Sequence, residues 1–200
     1  MTPTASRFDS LAARATACRA CPAMEGQIRV LSRRNGPVDA EIMLVGEAPG
    51  RLGAGQSGVP FSGDESGRRL DQLVAAAGLS RSEVFITNAV LCNPLDDRGR
   101  NRPPRQAEMT NCRTWLEEQI DVINPTLVIA LGAVALRNLD RIEQHGRVVK
   151  DSASEPIPWY GRYLAAAYHP GARAAIHRPF PDQLDDFRRL GGWIRANSRY

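Results

Sequence analysis

Four short apolar runs and the helical stripes between them dominate the pattern of the chain. The runs lie at 42–45, 84–87, 126–131 and 163–168. The run at 126–131 shows no alternation with polar residues, as expected of a strand covered on both faces. Between and after the runs, apolar residues recur at helical spacing and form three stripes. The stripes are Leu70, Leu73, Val74 and Ala77; Met109, Cys112, Leu116, Ile120 and Ile123; and, after the last run, Leu184, Phe187, Leu190 and Ile194. Strands that alternate with helices predict an α/β fold around a four-stranded parallel sheet.

Glycines and loop residues mark the boundaries of these elements. Gly78 ends the first helical stripe, and Gly132 opens a short helix after the third run. The segment 89–104 is rich in Pro, Asp, Asn and Arg, and a surface loop of this length is usually functional or disordered. Residues 140–162 are irregular, with a hairpin predicted around Trp159.

Three of the four runs end at a distinctive polar residue. Glu47 follows the first run within a glycine-rich turn (GEAPG), Asn88 follows the second run, and His169 follows the fourth. Because the carboxyl ends of parallel strands meet at one edge of a sheet, we expect these three side chains to form one site. Phe61 comes about a dozen residues after the turn, directly behind Pro60. A backbone cradle followed by an aromatic plate suits a planar heterocycle that carries a phosphate.

Each of these residues also has a purely structural interpretation. Glu47 could cap a helix or pair with an arginine, and Phe61 could belong to the core. Asn88 could be a turn residue, and His169 could be a hydrogen-bonded structural histidine. The residues by themselves leave both interpretations open.

Length, composition and charge favour one soluble domain that contacts phosphate. With 200 residues and 42% hydrophobic content, the chain suits a single globular domain over residues 1–200. The net charge is +4 and arginine far outnumbers lysine, which favours phosphate contact because a guanidinium binds oxyanions with two N–H groups; a merely basic surface is the alternative. The longest apolar run, 126–136, is too short to span a bilayer, and the N-terminus lacks the apolar segment of a signal peptide. We therefore expect a cytoplasmic monomer without membrane association.

The four cysteines suggest a metal centre. They are spaced as Cys18-x2-Cys21 and, much later, Cys92-x19-Cys112. Disulfides are uncommon in the cytoplasm, and two further cysteines beside a CxxC pair favour four thiolate ligands to one centre. Zinc and an iron-sulfur cluster both accept four thiolates, and unligated core cysteines are the third possibility. A metal centre would clip the N-terminal segment and the loop 89–104 onto the domain, which is a structural role.

Taken together, four short motifs resemble the iron-sulfur branch of the uracil-DNA glycosylase superfamily. The motifs are GEAPG, the PF at 60–61, ITN with a cysteine four residues beyond its asparagine, and YHPG at 168–171. Their order and their interleaving with the cysteines extend the resemblance from Cys18 to Arg178. The resemblance implies a three-layer α/β/α fold and a four-iron four-sulfur cluster held by Cys18, Cys21, Cys92 and Cys112. It further implies a DNA repair enzyme that hydrolyses the N-glycosidic bond of uracil, or of another deaminated base, in DNA to leave an abasic site.

The same resemblance assigns roles to the residues at the strand ends. Glu47 and Gly46 lie in the motif that activates water and contacts the substrate through its backbone. Phe61 would stack on the flipped base, and Asn88 would read the base edge. His169 would hydrogen bond to the base carbonyl next to the scissile bond.

The segment after the histidine motif is where the superfamily contacts the DNA duplex. Ile176 or Arg173 could serve as the wedge that enters the base stack, and Arg178 could contact phosphate. The chain also departs from both families that it resembles: family 4 continues with an acidic run where this chain has the glycine-rich 51–56, and family 5 generally lacks Glu47. HPG stands in place of the more usual HPS.

Two other functions remain as alternatives at this point. One is an iron-sulfur protein that binds uracil or abasic DNA without turnover. The other is a zinc-stabilised nucleotide-binding module.

Overall fold

Five strands form a central sheet in the order β2-β1-β3-β5-β4 in the computed structural model, which describes residues 2–197. The strands are β1 (Ile42–Gly46), β2 (Val84–Asn88), β3 (Leu127–Leu131), β4 (Ile157–Trp159) and β5 (Arg162–Ala167). Four of them pair in parallel, and β4 pairs antiparallel with β5 at one edge. The prediction of an α/β fold with four parallel strands is confirmed, and each predicted strand begins and ends within about a residue of the observed one.

The fifth strand belongs to the hairpin predicted around Trp159. Trp159 pairs with Arg162, and the two residues between them, Tyr160 and Gly161, both have positive φ angles, of 47° and 68°. This is the backbone conformation that joins two antiparallel strands through a two-residue turn. A three-residue strand carries too few positions for an alternating pattern, so the sequence predicts the turn and not the strand.

Helices cover both faces of the sheet. They are α1 (Pro3–Thr16), α2 (Ala54–Ser57), α3 (Glu65–Ala76), α4 (Gln106–Ile123), α5 (Ala133–Leu139), α6 (Val149–Ser152) and α7 (Phe180–Asn197). Short 3-10 helices lie at Pro22–Met24, Arg33–Asn35, Arg81–Glu83 and Ala172–Ile176. One face of the sheet packs against α1, α4 and α5, and the other packs against α3 and α7. The three-layer arrangement follows.

The two hydrophobic cores explain why β1 is apolar at every position. Met43 and Val45 belong to the core on the α4 side, whereas Ile42 and Leu44 belong to the core on the α3 side. Successive strand residues face opposite sides of a sheet, so a strand with helices on both sides needs apolar residues throughout. Within residues 2–197, no helix combines the length and the apolar character needed to span a bilayer.

A glycine inside α7 lets the two helices on the α3 side approach closely. A Cβ atom at Gly191 would lie 2.1 Å from the carbonyl oxygen of Ala77, far inside van der Waals contact. A glycine in a helix interior normally costs about 1 kcal/mol relative to alanine. Here it removes a steric clash at the end of α3, so the apparent defect in the helical stripe is a packing requirement.

Candidate active site

The carboxyl ends of the parallel strands open into a cleft of about 620 Å³. Glu47 and Asn88 reach it from the ends of β1 and β2, and His169 reaches it from the end of β5. Phe61 and Arg173 line it as well. The structure therefore brings five of the predicted site residues around one cavity, and it does so because parallel pairing aligns the strand ends at one edge.

Gly46, at the end of β1, lies directly against two residues that line the cavity. A Cβ atom at this position would lie 2.5 Å from Asn88 Oδ1 and 2.6 Å from the ring of Phe61. The absence of a side chain thus allows the amide and the aromatic ring to close over the end of β1. Any larger residue at position 46 would push both groups out of place.

Phe61 and His169 contact each other in the cleft. Their ring centroids lie 5.8 Å apart, with an angle of 41° between the ring planes. Phe61 has a φ angle of 49°, which is unusual for a residue with a side chain and concentrates at functional positions. Its carbonyl group packs against Gly67 in the first turn of α3, where a Cβ atom would lie 2.3 Å from the oxygen. The helix thereby fixes the orientation of the aromatic residue.

His169 is held as a neutral ring with a defined tautomer. The backbone N–H of Gly171 donates to His169 Nδ1 at 2.9 Å, so a neutral imidazole carries its hydrogen on Nε2. Burial lowers the pKa of His169 below its ordinary value of 6.5, and the negative charge of Asp64 opposes this effect only in part. The site therefore offers a neutral N–H donor at physiological pH.

Asn88 presents an unused hydrogen-bond acceptor. The residue is only 1% exposed, and its Oδ1 atom is buried without a hydrogen-bond partner in the described part of the chain. Leaving a buried acceptor unpaired costs about 1–3 kcal/mol, so such groups are rare in folded proteins. The amide is thus available to a ligand that donates a hydrogen bond.

Glu47 is a half-buried carboxylate beside this amide. Burial raises its pKa above the ordinary 4.5, while the positive charge of Arg137 opposes the shift. A carboxylate with a raised pKa accepts a proton more readily at neutral pH and is a typical candidate for a general base.

Several polar residues of the cleft are not predicted from the sequence, because they lie in polar loops or, like Asp64 and Ser66, at the start of α3. They are Asp64, Ser66, Asn93, Asn101 and Arg102. Asp64 caps α3 by accepting a hydrogen bond from Gly67 N at 2.9 Å. An aspartate directly before a helical stripe predicts an N-cap, and this pattern is the sequence signal that points to Asp64.

The loop that follows Cys92 forms one wall of the cleft. Asn93 Nδ2 donates to the carbonyl oxygen of Pro49 at 2.6 Å and to Asn101 Oδ1 at 3.1 Å. Asn101 Oδ1 also accepts from Arg51 N at 3.0 Å. These hydrogen bonds join the loop 89–104 to the glycine-rich turn after β1, so the segment predicted as functional or disordered is ordered by its own amides.

An ion pair anchors the far end of this loop. Arg102 donates to both carboxylate oxygens of Glu108 at 2.8 and 2.6 Å, and Arg105 N donates to the same group at 2.6 Å. Glu108 is only 5% exposed. The hydrogen bond from the Arg102 side chain is the main reason that the pKa of Glu108 lies below its ordinary value.

The rim of the cleft carries the three residues predicted to contact DNA. Arg173 lines the cleft, and Ile176 is 81% exposed at the end of the 3-10 helix Ala172–Ile176. Arg178 donates to both oxygens of the buried Asp186 in α7, at 3.0 and 2.7 Å. Arg173 and Ile176 are thus open to a ligand, whereas Arg178 is already engaged in the fold.

The cysteines lie in one neighbourhood beside the loop wall. Cys92 and Cys112 are buried together with Met24 and Val90, and Cys21 packs against this group. Burial raises the pKa of Cys92 to about 11 and that of Cys112 to about 12, and the charges of Cys18 and Cys21 add to both shifts. In residues 2–197, no three Cys, His, Asp or Glu side chains stand in an arrangement suited to a single metal ion. Four cysteine thiols in one neighbourhood are the donor set that an iron-sulfur cluster accepts.

The fold and the cleft define an α/β protein with a pocket for a planar ring at the carboxyl ends of a parallel sheet. Residues 34–189 match the sequence profile of the uracil DNA glycosylase superfamily, and the chain belongs to this superfamily.

Curated relatives of two types support this assignment. The chain is 33% identical over 154 residues to a type-4 uracil-DNA glycosylase of Thermotoga maritima, which covers 76% of each protein. It is 36% identical over 158 residues to a type-4 enzyme of Saccharolobus solfataricus, covering 76% of this chain and 70% of the relative. It is also 31% identical over 186 residues to a type-5 uracil-DNA glycosylase of Thermus thermophilus, covering 77% of this chain and 82% of the relative. Similarity to both types agrees with the mixed motifs in the sequence.

Proposed function

We propose that this protein is a uracil-DNA glycosylase that hydrolyses the N-glycosidic bond of uracil in DNA and leaves an abasic site. The observation that carries the proposal is the convergence of Glu47, Phe61, Asn88 and His169 on one cleft, with the Asn88 acceptor left unpaired. Relatives of both types bear the name uracil-DNA glycosylase. Other deaminated bases are further candidate substrates, and the single domain acts as a monomer in the cytoplasm.

The base enters the cleft only after it has left the duplex. Flipping costs a few kcal/mol, and stacking and edge contacts compensate for that cost. Phe61 supplies the stacking surface. Asn88 Oδ1 accepts the N3 hydrogen of uracil, and its amide N–H group donates to O4. Cytosine has an acceptor at N3 and a donor at C4, so the same amide rejects it.

His169 stabilises the leaving group. Breaking the glycosidic bond leaves negative charge on the departing base, and the Nε2 hydrogen of the neutral ring donates to the carbonyl oxygen beside the bond. A fixed donor of this kind contributes about 3–4 kcal/mol to lowering the barrier when water is excluded. Burial keeps the ring neutral, so the donor does not become an acid that must be reprotonated.

Glu47 activates the attacking water. Its half-buried carboxylate orients the water and accepts a proton as the water attacks the sugar carbon. The raised pKa brings this base nearer to neutrality. Gly46 contributes through its backbone, because a side chain there would displace Phe61 and Asn88.

The rim residues hold the DNA around the flipped nucleotide. Arg173 contacts phosphate, and the exposed side chain of Ile176 fills the gap that the flipped base leaves in the stack. Arg178 stays a predicted phosphate contact. Its ion pair with Asp186 attaches the rim segment to α7.

Cys18, Cys21, Cys92 and Cys112 would hold a four-iron four-sulfur cluster. When bound, the cluster supplies a structural link between the N-terminal segment and the loop wall of the cleft. Four cysteine ligands complete the coordination of such a cluster and leave no open position for catalysis.

A single-turnover assay with EDTA present tests the proposed activity. The parent protein should release uracil from an oligonucleotide, and Glu47→Gln should not do so at a comparable rate. Glu117→Gln, which alters a helix α4 carboxylate outside the cleft, is the matched control and should behave as the parent. Tight, salt-dependent binding without abasic product from uracil, hypoxanthine or xanthine substrates would instead identify a binding protein. A colourless preparation with zinc and no iron would contradict the cluster.

A further inference from the structure

Arg29 occupies an unusual position between the two cysteine pairs. It lies after the 3-10 helix Pro22–Met24, and its guanidinium turns back so that Nη2 donates to the carbonyl oxygen of Cys18 at 2.8 Å. Nη1 donates to the carbonyl oxygen of Gln27 at 2.5 Å. The next residue, Val30, donates its N–H to the carbonyl of Leu91 at 2.8 Å, which places Arg29 beside the segment that carries Cys92.

The remaining donor of the Arg29 side chain is its Nε–H group. Arg29 Nε is buried and has no hydrogen-bond partner among residues 2–197. An unpaired buried N–H costs about 1–3 kcal/mol, and more when the group is charged. The Nε–H group is thus available to an acceptor that the cysteine neighbourhood supplies.

The charge of Arg29 also acts on the thiols. The Arg29 guanidinium interacts electrostatically with Cys92. Glu108 is itself neutralised by Arg102. Arg29 therefore directs a positive charge toward the cysteine pairs.

One cysteine sulfur already accepts a hydrogen bond from a neighbouring side chain. Asn111 in α4 donates through Nδ2 to Cys21 Sγ at 3.3 Å and to the carbonyl oxygen of Ala20 at 3.0 Å. Hydrogen bonds to sulfur and nearby charge are among the features that set the reduction potential of an iron-sulfur cluster. The Asn111 amide donates to one cysteine sulfur. The unpartnered Arg29 Nε–H is available to donate to the group that the four cysteines hold.

We propose that Arg29 is a positioning residue for the iron-sulfur cluster: its Nε hydrogen donates to a sulfur of the cluster or its thiolate ligands, and its charge offsets the negative charge of the assembly. The residue ties Cys18 in place through one nitrogen and contacts the cluster through another. It thereby raises the reduction potential and slows the loss of iron. This inference rests on the cluster of the proposed function and does not depend on which base is excised.

The test compares Arg29→Gln with Arg19→Gln in protein purified without oxygen. Arg19 also donates to the Cys18 carbonyl, at 2.9 Å, but it is solvent-exposed and donates to the Thr16 carbonyl as well. The measurements are the reduction potential by voltammetry and the rate of iron release into a chelator, followed by the visible absorption. Arg29→Gln should shift the potential to more negative values and release iron about tenfold faster, as is usual when an outer-shell partner of a metal site is lost. Arg19→Gln should match the parent.

Equal potentials and equal iron release in Arg29→Gln and the parent would overturn the inference. If Arg29→Gln does not accumulate as folded protein, Arg29→Lys decides by the same two measurements, because it keeps the charge and removes the Nε donor. Iron content and uracil release of the parent are measured alongside. A parent without iron refutes the cluster itself, whereas a parent with iron and unchanged Arg29 variants refutes only the role of Arg29.

Discussion

Two parts of the cleft hold their polar groups in opposite ways. One is the floor, formed by Glu47, Asn88 and His169 at the strand ends, and the other is the loop wall 89–104, which is anchored by Glu108 of α4. In the wall, Glu108 receives three hydrogen bonds, two from the Arg102 side chain and one from Arg105 N, and its pKa is lowered. On the floor, burial raises the pKa of Glu47, and Asn88 Oδ1 has no partner within the described chain. The wall stabilises the protein, whereas the floor is destabilising until a ligand arrives. Such a contrast is typical of active sites, where charges are held unpaired for the reaction.

Breaking the wall should have the largest effect on stability. Arg102→Met leaves Glu108 buried with only the Arg105 N–H as a donor, and we expect the free energy of unfolding to fall by about 3 kcal/mol. Urea denaturation measures this change. Arg100→Met is the matched control, because Arg100 pairs with Asp96 at the exposed surface and its loss should change little. Equal denaturation midpoints for Arg102→Met and the parent would show that the wall does not depend on this pair.

On the floor, removal of a polar group should affect the reaction and spare the fold. His169→Ala should lower the single-turnover rate of uracil release by about 10²–10³, the range for loss of a fixed donor to a developing negative charge. DNA affinity at high salt should change little. His145→Gln, at a histidine that hydrogen bonds to Leu136 outside the cleft, serves as the control. A rate that stays at the parent value would contradict the proposed role of His169 at the leaving group.

The same contrast explains what the sequence could predict. Strands buried on both faces must be apolar, so the apolar runs predict them. The first polar residues after three of the runs, which are Glu47, Asn88 and His169, then predict the site. Asn93 and Asn101 lie in a polar loop without such contrast. Their places depend on tertiary contacts, such as the hydrogen bond from Asn93 to the Pro49 carbonyl, which no local pattern encodes.

Two asparagines allow the floor and the wall to be compared with the same chemical change. Asn93→Ala removes two hydrogen bonds from the wall and should cost about 1–2 kcal/mol of stability while uracil remains preferred over cytosine. Asn88→Ala removes an amide whose oxygen is unpaired, so stability should change less and the preference for uracil should weaken. Thermal unfolding and excision from paired uracil and cytosine substrates measure the two effects. Equal discrimination by Asn88→Ala and the parent would count against edge reading.

Neutralising Glu47 and neutralising Glu108 should change stability with opposite signs, and this smaller effect is the sharpest comparison. The folded-state pKa of Glu47 is raised above 4.5, so between these two values the folded protein binds more protons than the unfolded chain. Stability therefore falls as the pH rises through that window, and the ionised carboxylate remains a cost at neutral pH. Glu47→Gln should unfold at a higher temperature than the parent at pH 7 and above, with the difference closing below about pH 4.5.

Glu108 gives the reverse case because its folded-state pKa is lowered below 4.5. Its contribution to stability is present above 4.5 and is lost as the pH falls through the folded-state value. Glu108→Gln should therefore be less stable than the parent at neutral pH, with the difference closing toward acid pH. Thermal unfolding of both variants across this pH range gives the two signs directly. If Glu47→Gln is destabilised at neutral pH as Glu108→Gln is, then Glu47 has a stabilising partner in the fold and is not the unpaired base that we propose.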